Sequence, residues 1–146
     1  MTWNWHRWGE PLAAVLNLLY TVGYQQNASW AFGAGGIGSA LFLLICWQRQ
    51  MKAEALLWVY YVGMAVYGAF VVQDAWPSPL PVATPAEHLL SIGAGLAAWG
   101  IAWMALRGKS WKPGLDAFTT IGSIIATYWM MQFVHSNWLY WIVINA

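Results

Sequence analysis

The sequence predicts an all-α, polytopic membrane protein, and three observations carry that prediction. Of 146 residues, 60% are hydrophobic and only 8% are charged, against about 25% charged in an ordinary soluble domain. So few charges cannot coat a globule in water, whereas lipid suits such a surface. The apolar residues also gather into windows near the length of about 20 that a helix needs to cross hydrocarbon. Finally, all six basic residues fall in alternate connections between those windows.

The first span is expected over 11–24, PLAAVLNLLYTVGY, with Pro11 in the first turn, where its missing N–H costs nothing. QQNAS is a polar turn into the second span, WAFGAGGIGSALFLLICW. The third, ALLWVYYVGMAVYGAFVV, is opened by Glu54. DAWPSPLPVATP follows as a loop whose four prolines forbid a helix. Thr84, Pro85 and Glu87 then spell a capping box at the head of the fourth span, HLLSIGAGLAAWGIAWMAL. RGKSWKPG is a basic turn, LDAFTTIGSIIATYWMMQFV the fifth span, and HSN a minimal turn into the sixth. That last run, WLYWIVIN, rises only about 13 Å against ~30 Å of hydrocarbon. It reads as half of a helix, so the sequence is expected to be a C-terminally truncated piece of a longer protein.

The basic residues orient the spans. Arg7 precedes the first, Arg49 and Lys52 lie between the second and third, and Arg107, Lys109 and Lys112 lie between the fourth and fifth. By the positive-inside rule the N-terminus and the basic turns are cytoplasmic, and the proline-rich loop is outside. Trp3, Trp5, Trp8, Trp30, Trp47, Trp76, Trp111 and Trp138 sit at expected span ends, as an interfacial belt would. Trp99, Trp103, Trp129 and Trp141 fall inside spans, where a belt role does not apply.

A parallel repeat is expected, with Trp30 matched to Trp138 and Glu10 to Asp116 ahead of the corresponding spans. The expected organisation is a cytoplasmic segment, 1–9, and a first three-helix unit, 10–76. A loop, linker helix and basic turn, 77–112, lead to the start of a second three-helix unit, 113–146. Two three-helix bundles joined by a linker helix are the SWEET-like arrangement.

Composition also excludes functions. Six basic residues spread over the chain make no nucleic-acid patch. A lone Cys46 permits neither an internal disulfide nor a CxxC site. His6, His88 and His135 are far apart, and Glu87 and His88, though adjacent, point to different faces, so no metal or other cofactor is expected. No P-loop or GxSxG signature occurs, so no catalytic residue is assigned. No carboxylate lies mid-span to couple transport to an ion.

What remains is aromatic and amide chemistry. Trp138, Trp141 and Asn145 are spaced i, i+3, i+7 and share one helix face. Two indoles make a wall for a flat or cationic ring, and the amide supplies donors and an acceptor. Asn17, Tyr20 and Tyr24 share a face of span one, and Tyr128 and Gln132 a face of span five, with Thr120 and Thr127 nearby. Polar groups at depth face the bundle interior, either as a polar cavity or as glue between helices. The glycines of GAGGIG and GAGLAAWG are expected to let helices pack closely.

NWLYWIVIN, a W-x-x-W pair with Asn four residues later, resembles the signature of the PnuC family of vitamin transporters. SWAFGAGGIGSALF, the Tyr-rich third span with VYGAF, and the aspartate-led helix before W-x-x-W follow that family's order. The resemblance implies uptake of nicotinamide riboside or a related ring-bearing vitamin across the cell inner membrane. It implies facilitated diffusion, with trapping by a separate cytoplasmic kinase. By the same resemblance Trp138, Trp141 and Asn145 contact the substrate, the indoles flanking its ring; Gln132, Tyr128 and Asn17 are further candidates. The expected partners are this small molecule and the bilayer, not nucleic acid; a homo-oligomer stays open. The competing reading is a non-transporting integral membrane subunit whose aromatics and glycines only pack helices. An intramembrane enzyme is a third reading.

Overall fold

The computed structural model describes residues 5–72 and 76–146, with side chains from Trp8 onward other than those of Lys52 and Ala53. Trp3 and the side chains of Trp5, His6, Arg7 and Lys52, which the sequence assigns to the belt and the basic turns, lie outside the described residues. Among the described residues every regular element is a helix: α1 (Trp5–Gln25), α2 (Trp30–Gln48), α3 (Lys52–Val71), α4 (Pro85–Leu106), α5 (Pro113–Met131) and α6 (Asn137–Asn145). They fall into two compact units, Met1–Trp76 and Pro77–Ala146.

In the first unit α2 packs against both α1 and α3. Small residues make the approach close. A Cβ on Gly35 would lie 2.8 Å from the Tyr20 ring, one on Gly38 2.6 Å from the Asn17 amide, and one on Gly68 would run into the Phe32 ring. Tyr20, Tyr24, Phe32 and Trp76 form an aromatic cluster at the far end of α1. Phe32 stacks on Trp76 with centroids 5.6 Å apart, and Tyr24 meets Trp76 edge-on at 5.0 Å.

One boundary differs from expectation. α1 begins six residues before Pro11, which therefore lies inside the helix and removes one backbone hydrogen bond there. Within this early part of α1 the Glu10 carboxylate pairs with Arg49 at the end of α2.

α1, α2 and α5 end in the same way. Asn27, Gln50 and Phe133 adopt positive φ (55°, 61° and 58°). At each, the next N–H bonds back to the carbonyl five residues earlier: Ala28 to Gly23, Met51 to Cys46, Val134 to Trp129. This is the Schellman stop, which satisfies the last helical carbonyls. Four backbone hydrogen bonds of the α1–α2 turn recur in the α5–α6 turn at a spacing of 106 residues, the last being Ala31 N–Ala28 O and Asn137 N–Val134 O. That register pairs Glu10 with Asp116 as expected. It moves the tryptophan match by two positions, so that Trp138 corresponds to Phe32 rather than Trp30.

In the second unit α5 packs against α4 and α6. The capping box forms: Thr84 Oγ1 accepts from Glu87 N, and the Glu87 carboxylate accepts from Thr84 N at 2.7 Å. The glycines of α4 do less than their sequence suggests. Gly95 abuts Ile125, but Gly93 and Gly100 face open space, as does Gly33 of α2.

Among the described residues three helices are long and apolar enough to cross a membrane: Trp30–Gln48, Glu54–Val71 and Pro85–Leu106. α1 and α5, of 21 and 19 residues, match them in length but are more polar, carrying Asn17, Tyr20, Thr21 and Tyr24, and Thr119, Thr120, Ser123 and Thr127.

Candidate functional site

α6 presents two opposed faces, and each is a candidate. At about 100° per residue, Trp138, Trp141 and Asn145 fall within one narrow sector. Both indoles are half-buried and the amide is exposed. Asn145 Nδ2 donates back to Trp141 O at 2.8 Å, which fixes the amide and leaves its side-chain oxygen free to accept. The three predicted residues therefore do share a face.

The opposite face of α6 borders a cleft of about 640 Å³, which none of those three residues lines. Ser136, Leu139, Tyr140, Val143 and Ile144 form one wall. His88, Ile92, Gly95, Leu96 and Trp99 of α4 form the other, and Phe118, Ile121, Gly122 and Ile125 of α5 the floor. On both long helices the lining residues recur at three- and four-residue intervals, as a single helix face requires.

One end of the cleft is polar. Tyr140 Oη lies 2.8 Å from His88 Nδ1, and Ser136 Oγ lies 3.0 Å from His88 Nε2. A neutral imidazole donates from one nitrogen and accepts at the other, so this chain of three is satisfied in either tautomer. Trp129 packs its ring 5.1 Å from the His88 ring. Behind it Asn137 is 1% exposed; its amide donates to Val134 O at 2.6 Å and its Oδ1 has no partner among the described residues.

The sequence of groups looks like a nucleophile, base and orienter, yet the third member is a neutral phenol. The remaining lining residues offer no free donor to an oxyanion either, since the Trp99 indole N–H is given to Gly114 O. Among the described residues no group of three His, Cys, Asp or Glu could hold a metal ion.

The other predicted residues divide. Thr127 is buried and Thr120 half-buried in α5, while Tyr128 is exposed. Gln132 forms the C-cap of α5 rather than lying at its middle. Asn17 belongs to the first unit, where its amide donates to Ala13 O at 2.9 Å and packs on Gly38. That hydrogen bond stays within α1, and Tyr20 and Tyr24 of the same face join the aromatic cluster. The His88–Tyr140 pair, 52 residues apart, has no local signature that sequence reasoning could find.

Comparison with known proteins now bears on these faces. The family described as nicotinamide mononucleotide transporter matches residues 7–146. The chain belongs to that family. A crystal structure of the vitamin B3 transporter PnuC superposes on it with a TM-score of 0.78 at 23% identity, covering 97% of this chain. The family's helical fold is thereby shared, although the chain spans 65% of that transporter's length. No curated protein matches. With three helices apolar enough to cross lipid, this family member is a multi-pass membrane protein.

Proposed function

We propose that this chain binds nicotinamide riboside, or a close ring-bearing relative, as part of a facilitated-diffusion transporter of the inner membrane. The observation that carries the reading is the face of α6 on which Trp138, Trp141 and Asn145 stand in register. A pyridinium ring is flat and cationic, and indole faces attract both properties. Asn145, one turn away, offers its free oxygen to a ribose hydroxyl or the ligand amide. Tyr128 and Gln132, at the end of α5, and Asn17 of α1 are the further polar candidates.

Absence of charge selects the ligand further. None of the proposed contact residues is Lys or Arg, so a nucleotide phosphate would be left without a cation, a costly state away from water. The nucleoside is the better fit than the mononucleotide of the family's description. With no Asp, Glu, Lys or Arg in the middle of a span to couple uptake to an ion gradient, movement is downhill, and phosphorylation by a separate cytoplasmic kinase traps the product. The basic turns face the cytoplasm in this scheme. The protein performs no bond chemistry itself.

Isothermal titration of the purified chain tests the ligand class. Nicotinamide riboside should bind at least tenfold more tightly than nicotinamide mononucleotide. Tighter binding of the mononucleotide would sink the reading, and binding of neither would favour a helix-packing subunit.

A further inference from the structure

We propose that the turn between α4 and α5 docks the phosphate headgroup of an anionic membrane lipid. Its cations are held in place by indoles. Residues 99, 103 and 107 lie one turn apart and form a ladder along α4. The Arg107 guanidinium sits 4.6 Å from the Trp103 ring centroid, and Trp103 stacks on Trp99 at 5.5 Å and 13°. Trp99 Nε1 in turn donates to Gly114 O at 2.8 Å, which ties the foot of the ladder to the start of α5. The guanidinium is thus positioned at the helix end before any anion arrives, in the planar form that takes phosphate with two hydrogen bonds.

Two more cations complete the surface. Lys112 Nζ lies 4.7 Å from the Trp111 centroid, and Lys109 is exposed between them. The neighbouring carboxylate, Asp116, is engaged by the Ser110 hydroxyl. Among the described residues none of the three cations forms an ion pair. The turn after α2 is different: its Arg49 is already paired with Glu10.

Position favours a lipid over a free anion. The turn lies at the end of α4, a helix apolar and long enough to cross the bilayer. Trp111 is 90% exposed there, and an indole in that place belongs at the headgroup level. Each cation beside an anionic membrane surface strengthens attraction roughly fivefold.

The test is native mass spectrometry of the purified chain in neutral detergent, titrated with dioleoylphosphatidylglycerol or dioleoylphosphatidylcholine. The glycerol lipid should be retained at least tenfold better. In a variant carrying Arg107→Gln, Lys109→Gln and Lys112→Gln that preference should vanish. It should survive Lys109→Arg with Lys112→Arg, and also Arg49→Gln, which removes a cation that is already paired. Excess inorganic phosphate should not displace the lipid. Unchanged preference in the triple variant, loss in Arg49→Gln alone, or full displacement by phosphate would each overturn the proposal.

Discussion

The two units begin from the same turn and finish differently. In each, a helix stops in a Schellman geometry, at Asn27 or Phe133, and reverses into the next helix. In the first unit the following helix, α2, has 19 residues and a third helix behind it. Phe32 goes into the core with Trp76, and glycines bring the backbones together. In the second unit α6 has nine residues. There α4 and α6 form opposite walls of an apolar cleft, and His88 of α4 meets Tyr140 and Ser136 at one end of it. The same local turn therefore leads into close glycine contacts in one unit and borders an apolar cleft in the other.

That contrast can be broken by filling space. Gly68→Ala drives a methyl into the Phe32 ring, which is fully buried. It should lower the stability of the first unit by about 1–3 kcal/mol, the usual cost of overpacking. Gly100→Ala meets nothing and should instead stabilise α4 by up to about 1 kcal/mol, through the better helix propensity of alanine. Thermal unfolding in detergent, followed by circular dichroism, reads both. Equal losses in the two variants would mean that α4 is as tightly packed at Gly100 as α3 is at Gly68.

A smaller effect sharpens the account of the cleft. His88→Phe keeps an aromatic ring against Trp129 but removes the hydrogen bonds to Tyr140 and Ser136. Hydrogen bonds between membrane helices contribute on average about 0.6 kcal/mol, so the loss should stay near 1 kcal/mol. The diagnostic readout is the distance between spin labels at Ala94 of α4 and Ile142 of α6, which should broaden in the variant. An unchanged distribution would show that α5 alone sets the width of the cleft.

Much of this was legible in the sequence because it is local. The six helices, the Thr84 capping box and the shared face of Trp138, Trp141 and Asn145 follow from spacing and composition. The repeat register was only half legible. Glu10 and Asp116 give the spacing that the backbone adopts, while Trp30 and Trp138 miss it by two. Phe133 occupies the left-handed position that Asn27 occupies in the first unit, and a phenylalanine gives no sign of that conformation. Pro11 misled because a proline suits a first turn, whereas α1 already begins at Trp5. The His88 cluster and the Trp99–Trp103–Arg107 ladder needed coordinates, since residue type alone does not say which side chains meet.

The central claim is that the ligand lies on the tryptophan face of α6 and not in the cleft behind it. Titration of nicotinamide riboside into two variants of the purified chain separates these faces. Trp141→Ala removes one wall of the proposed site, and Val143→Trp fills the cleft. The account predicts that Trp141→Ala weakens binding about tenfold, in line with the 1–2 kcal/mol of a desolvated cation–π contact, while Val143→Trp leaves the Kd unchanged. Binding abolished by Val143→Trp and untouched by Trp141→Ala would contradict it and move the site into the cleft beside His88.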